Sequence, residues 1–118
     1  MRGVINMEDR EIVVLSKGVP GEPCPIAKTL EIIGTKWTFL ILRDLMLEGV
    51  MRFSDLQKSM SGISPKTLSL RLRGLEEHNI LTRKVYPEVP PRVEYSLTEK
   101  GKKLQGILVE MKRFGLTL

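Results

Sequence analysis

A chain of 118 residues with 42% apolar content has room for one domain and a modest core, small enough to profit from a partner chain. Nineteen Lys/Arg against 14 Asp/Glu leave a net charge of +5, which suits an anionic partner such as nucleic acid without demanding one. One cysteine, Cys24, and one histidine, His78, exclude an intrachain disulfide, a Cys- or His-based metal site and a Ser-His-Asp triad; no window is apolar enough for a membrane span and no signal-peptide core leads the chain, so it reads as cytoplasmic with no membrane partner.

Residues 1–23 read as an N-terminal extension or arm, with three Lys/Arg against four Asp/Glu. Their β-branched run at 12–15, followed by Gly/Pro punctuation, suits a short strand or extended arm better than a helix. Residues 24–118 read as one domain. Pro25 stands where a first helical turn accepts proline, and Gly34 where a helix stops. Thr35 caps a second helix that ends at Gly49, with Trp37, Leu40, Ile41, Leu45 and Met46 near one face; the tryptophan is core material by ordinary burial habit. "VMRFSDLQKSM" reads as a brief extended piece, a capping Ser54 and two helical turns. After the tight connection "SGI", Ser64 and Pro65 open a helix over 64–77, and Asn79, tolerant of the left-handed conformation, closes it. Two short helices joined by such a turn have the sequence form of a helix-turn-helix. Strand candidates at 81–86 and 92–97 then flank "PEVPP", whose prolines cannot occupy central strand positions. Thr98 caps one last helix, "TEKGKKLQGILVEMKRF".

The charge concentrates in the second half: residues 64–103 hold nine Lys/Arg against five Asp/Glu. On helix 64–77, Leu68, Leu72 and Leu75 share one buried arc, and Lys66, Leu70, Arg73 and Glu77 lie opposite, flanked by Thr67 and Ser69. The second helix of such a pair enters the DNA major groove N-terminal end first. Ser64, Lys66, Thr67, Ser69, Leu70 and Arg73 therefore become candidate DNA-binding residues. The cations and hydroxyls suit phosphates or base edges, and the leucine suits a thymine methyl. In the hairpin 81–97, Lys84 and Arg92, with Arg83, bracket a proline-stiffened tip that can run along the backbone toward a minor groove. The predicted fold class is mainly α with a small β-hairpin: a winged helix-turn-helix with extra N- and C-terminal dimerisation elements.

The segments "CPIAKTLEIIGTKWTFLILRDLM", "RFSDLQKSMSGISPKTLSLRLRGLEEHNIL" and "VYPEVPPRVEYSLTEKGKKL" resemble the HxlR-type transcriptional regulators, a branch near the MarR-type winged-helix proteins. The resemblance spans roughly residues 24–104. It implies a homodimer that binds a palindromic operator in double-stranded DNA, with no catalysis and no cofactor. Three features depart from the family pattern: the 23-residue extension is long, Leu70 stands where a polar residue is usual, and the last helix stops early. The resemblance also makes Cys24 a candidate redox sensor, since several relatives sense oxidants or electrophiles through a cysteine at this place. A helix N-terminus is a setting that favours thiol reactivity, and a lone cysteine can switch only through an intersubunit disulfide or a mixed adduct. An oxidant or a small molecule is the matching effector; the opposing reading is a packed, inert thiol.

Leu104, Ile107, Leu108 and Met111 form an apolar stripe on the last helix, and Leu30 and Ile33 share a side of the first. These six are the candidate dimerisation residues. A twofold mate would bury both stripes and set two recognition helices about one DNA turn apart, roughly 34–36 Å. The alternative is a winged-helix protein–protein interaction module without specific DNA binding. An enzyme is disfavoured, because Asp44, Asp55, Glu76, Glu77 and Glu94 form no recognisable acid/base constellation and no Gly-rich phosphate loop is present. RNA is disfavoured by the scarcity of stacking aromatics.

Overall fold

The computed structural model describes Leu15 and residues 20–118, so the strand or arm expected at 12–15 falls outside the described residues except for Leu15, which lies in a turn. Helix α1 (Pro25–Ile33) begins at the proline and stops at Gly34. Helix α2 (Lys36–Glu48) is capped by Thr35, whose hydroxyl accepts from the Thr38 N–H at 3.2 Å. It ends at Gly49, at a positive φ of 82° that glycine adopts freely. Ile41, Leu42 and Leu45 are buried, with Trp37, Leu40 and Met46 half-buried beside them.

Strand β1 (Val50–Arg52) leads straight into α3 (Phe53–Ser59). The cap expected at Ser54 is not there: Ser54 lies inside the helix, and the Asp55 carboxylate reaches back to accept the Arg52 N–H at 3.1 Å. An acid three residues into a helix satisfies the entering backbone, and the pairing of β1 fixes where the chain enters. Helix α4 (Pro65–Glu77) buries Leu68, Leu72 and Leu75. Its end turns on Asn79, at φ 59°. The Asn79 N–H donates to the Glu76 carbonyl and the Ile80 N–H to the Leu75 carbonyl, and Leu75 and Ile80 are both buried: the Schellman closure with its apolar clasp.

Strands β2 (Leu81–Tyr86) and β3 (Arg92–Leu97) form the expected hairpin. The sheet has a third member, because β1 pairs antiparallel with the other side of β3, giving the order β1-β3-β2. Met51, Leu81 and Tyr95 point from this sheet into the core formed with α1 to α4, and Val93 and Leu97 pack against its edge. The single C-terminal helix expected from the sequence is two. Thr98 caps only α5 (Glu99–Lys102). The Lys103 and Leu104 N–H groups then bond three residues back, to Lys100 and Gly101, and the tightened turn re-aims the chain into α6 (Gln105–Gly115). The break sits where Gly101 packs onto the Ile80 backbone and where Leu104 and Leu108 fold onto the core.

The candidate nucleic-acid interface

Ser64 and Pro65 give α4 an ordered, solvent-facing start. The Ser64 hydroxyl accepts from the Thr67 N–H at 3.1 Å and shares a 3.0 Å hydrogen bond with the Thr67 hydroxyl. Both hydroxyls are thereby engaged in the cap, and Thr67 is half-buried. Lys66, Ser69, Leu70 and Arg73 are exposed on the face opposite the buried leucines. Leu70 stands 51% exposed, an apolar group among cations on that face. Arg71, absent from the sequence candidates, is also exposed, but its wheel angle sets it at the margin of the buried arc, beside Leu68 and Leu75, rather than on this face. At the other end of α4 the chemistry is structural. The Lys100 ammonium donates to the His78 carbonyl at 3.1 Å, and a His78 ring nitrogen lies 2.9 Å from the Gly74 carbonyl.

The wing carries its polar side chains on the outer face of the hairpin. Lys84 and Tyr86 alternate on β2, opposite Glu94 and Arg92 of β3. The Arg92 guanidinium lies 3.9 Å from the centroid of the Tyr86 ring and 3.6 Å from carboxylate oxygens of both Glu88 and Glu94. Those ion pairs are longer than hydrogen bonds. The Lys84 ammonium lies 4.8 Å from the same ring centroid. Arg92, expected to face DNA, is thus built into the hairpin and only 28% exposed in its side chain, whereas Arg83 and Lys84 are exposed.

The candidate dimer residues separate. Ile33 belongs to the protomer's own core, 2% exposed, which removes it from any outer surface, while Leu30 and its neighbour in the helical row, Ile26, are exposed. Leu104 and Leu108 pack half-buried against the core. Ile107 and Met111 are exposed and continue into Phe114 at the 4-3 spacing of a helix-pairing seam, with Leu118 exposed just past the helix end; the sequence reading included neither Phe114 nor Leu118. With Gly106, Glu110 and Gly115 they line a shallow, apolar hollow of about 680 Å³. Cys24 is exposed at the N-cap of α1, and its side chain makes no cap hydrogen bond. Among the described residues no cluster of three ligating side chains could hold a metal, and no helix is long and apolar enough to cross a membrane.

Residues 32–117 match the family model described as HxlR-like helix-turn-helix. An HTH-type transcriptional regulator of Synechocystis sp. is 47% identical over 95 residues, covering 80% of this chain and 70% of that one. YdeP, an HTH-type transcriptional regulator of Bacillus subtilis, is 39% identical over 109 residues, covering 92% and 84%. Among solved structures, the redox regulator HypR in its oxidised form superposes with a TM-score of 0.75 at 40% identity, covering 80% of this chain and 97% of that one. Its reduced form gives 0.74 at 40%, covering 79% and 91%.

Proposed function

Because the chain belongs to the HxlR-like helix-turn-helix family, a family of winged-helix transcriptional regulators, we propose that it regulates transcription as a homodimer on a palindromic operator. In this reading α4 enters the major groove and the wing follows the backbone alongside. The carrying observation is the outer face of α4: Lys66, Leu70 and Arg73 exposed together with Ser69 on their flank, behind a solvent-facing helix start, with the acids Glu76 and Glu77 held back in the last turn. The cations there, with the Lys66 N–H left open in the capped first turn, suit phosphates and guanine edges, and Leu70 suits a thymine methyl. The seam Ile107, Met111, Phe114 and Leu118, with Ile26 and Leu30, supplies the apolar surface for the twofold mate. Fluorescence anisotropy with inverted-repeat DNA from the flank of its own gene tests the reading. Affinity should fall with salt along a log–log slope of several units, close to one per phosphate contact. Salt-insensitive binding, or no binding to a genomic fragment pool, would leave the protein–protein interaction module as the better account.

A second reading concerns the effector. Cys24 is exposed at a helix start, and solved relatives include a redox regulator captured in oxidised and reduced forms. An oxidant that modifies Cys24, by an intersubunit disulfide or a mixed adduct, would then alter operator affinity.

A further inference from the structure

We propose that Tyr86 and Arg92 are positioning residues of the wing and that Lys84, held against the Tyr86 ring, makes its phosphate contact. This rests on the DNA-binding reading above. The four residues form a square on the outer face of the hairpin: Lys84 faces Glu94 across the ladder, and Tyr86 faces Arg92. Arg92 has the charge and reach for a phosphate, but its guanidinium lies against the ring at 3.9 Å and between two carboxylates at 3.6 Å each. Leaving that position to meet DNA would strand Glu88 and Glu94 without their cation, beside a polyanion. The planar guanidinium is instead suited to stack on the ring and fix its angle, which an ammonium in its place could not do. Lys84 is the exposed member, and its ammonium sits 4.8 Å from the ring centroid. A cation over an aromatic face keeps its charge while its flexible stem loses freedom, so less order remains to be imposed when a phosphate arrives. Tyr86 thus acts through Lys84 rather than on DNA.

The test is a double-mutant cycle read by DNA anisotropy across a salt series. Lys84→Ala should lower the salt slope by about two units, close to one for the wing of each protomer in the proposed dimer. Tyr86→Leu should weaken binding roughly threefold to tenfold, the size of one or two such contacts, while Tyr86→Phe, which keeps the ring, should bind like wild type. In the Lys84→Ala background, Tyr86→Leu should add nothing. Equal effects of Tyr86→Leu with and without Lys84, or an unchanged salt slope in Lys84→Ala, overturn the assignment. Loss of the fold in Tyr86→Leu would not stop the test. In the folded wild type the Lys84 side-chain methylene protons should be ring-shifted upfield of the other lysines and should move when DNA is added. Ordinary lysine shifts at Lys84 refute the proposal. A wild-type protein that binds no DNA at all fails the parent reading instead.

Discussion

Gly101→Ala adds one methyl group at a tight backbone crossing just past the end of α4. An ideal Cβ there would lie 2.1 Å from the Ile80 carbonyl oxygen, 3.1 Å from its carbon and 3.2 Å from Ile80 Cγ2. The obstacle is backbone, so no rotamer change relieves it, and α5 or the end of α4 must move. That junction is also where the Thr98 hydroxyl accepts from the Gly101 N–H at 3.0 Å and lies 2.6 and 3.1 Å from the Asn79 and Ile80 carbonyls, one of which it can donate to at a time. Overpacking of this kind costs about 1–3 kcal/mol. Loosening the Thr98 cap adds about 1 kcal/mol, so the expected loss is about 2–4 kcal/mol. Gly74→Ala is the matched control. It lies within α4 with nothing inside 4 Å of its would-be Cβ, and it should stabilise by about 0.5–1 kcal/mol through helix propensity. Urea unfolding followed by far-UV circular dichroism and Trp37 fluorescence, at one fixed protein concentration, measures both. A Gly101→Ala midpoint equal to wild type would refute the packing argument.

On DNA, Arg73→Ala and Lys66→Ala should each weaken operator binding more than Lys112→Ala on α6, and a base-reading arginine should cost about 1–3 kcal/mol and relax preference at one base pair; equal losses at all three would indicate charge alone. Met111→Glu or Phe114→Glu should convert the dimer to monomer in analytical ultracentrifugation and abolish binding to the full palindrome together; a dimer unmoved by both changes would place the mate elsewhere. Oxidant should shift operator affinity in the native protein and not in Cys24→Ser, and an unreactive Cys24 in thiol labelling of the folded protein would retire the redox reading.

The elements with local causes were legible in the sequence. Ser64 with Pro65, Thr35, Asn79 and the prolines between Tyr86 and Arg92 each fix backbone within a few residues, and the structure places helix ends and strands where these signals put them. What escaped depended on distant partners. Three residues of β1 carry no periodicity of their own, and they are a strand because β3 lies beside them. The last helix breaks because Gly101 meets the Ile80 backbone, some twenty positions away in sequence. The apolar residues of 104–111 have one spacing pattern but two fates, since only packing decides that Leu104 and Leu108 face inward while Ile107 and Met111 face out. Arg92 was legible as a cation and not as a stacked one, because its neighbours Tyr86 and Glu88 come to it across a turn.

In the proposed dimer, the apolar seam at the C-terminal end would tie gene control to protein abundance. Ile107, Met111, Phe114 and Leu118 are uncovered by their own protomer, so whatever pairing buries them obeys mass action. Below the dissociation constant of the proposed dimer, the concentration of paired chains grows with the square of the total, and occupancy of a palindrome grows with it. A twofold change in synthesis then produces about a fourfold change in DNA-competent species. A short apolar stripe would in this way sharpen the response of the operator to copy number without any allosteric transition in the protomer.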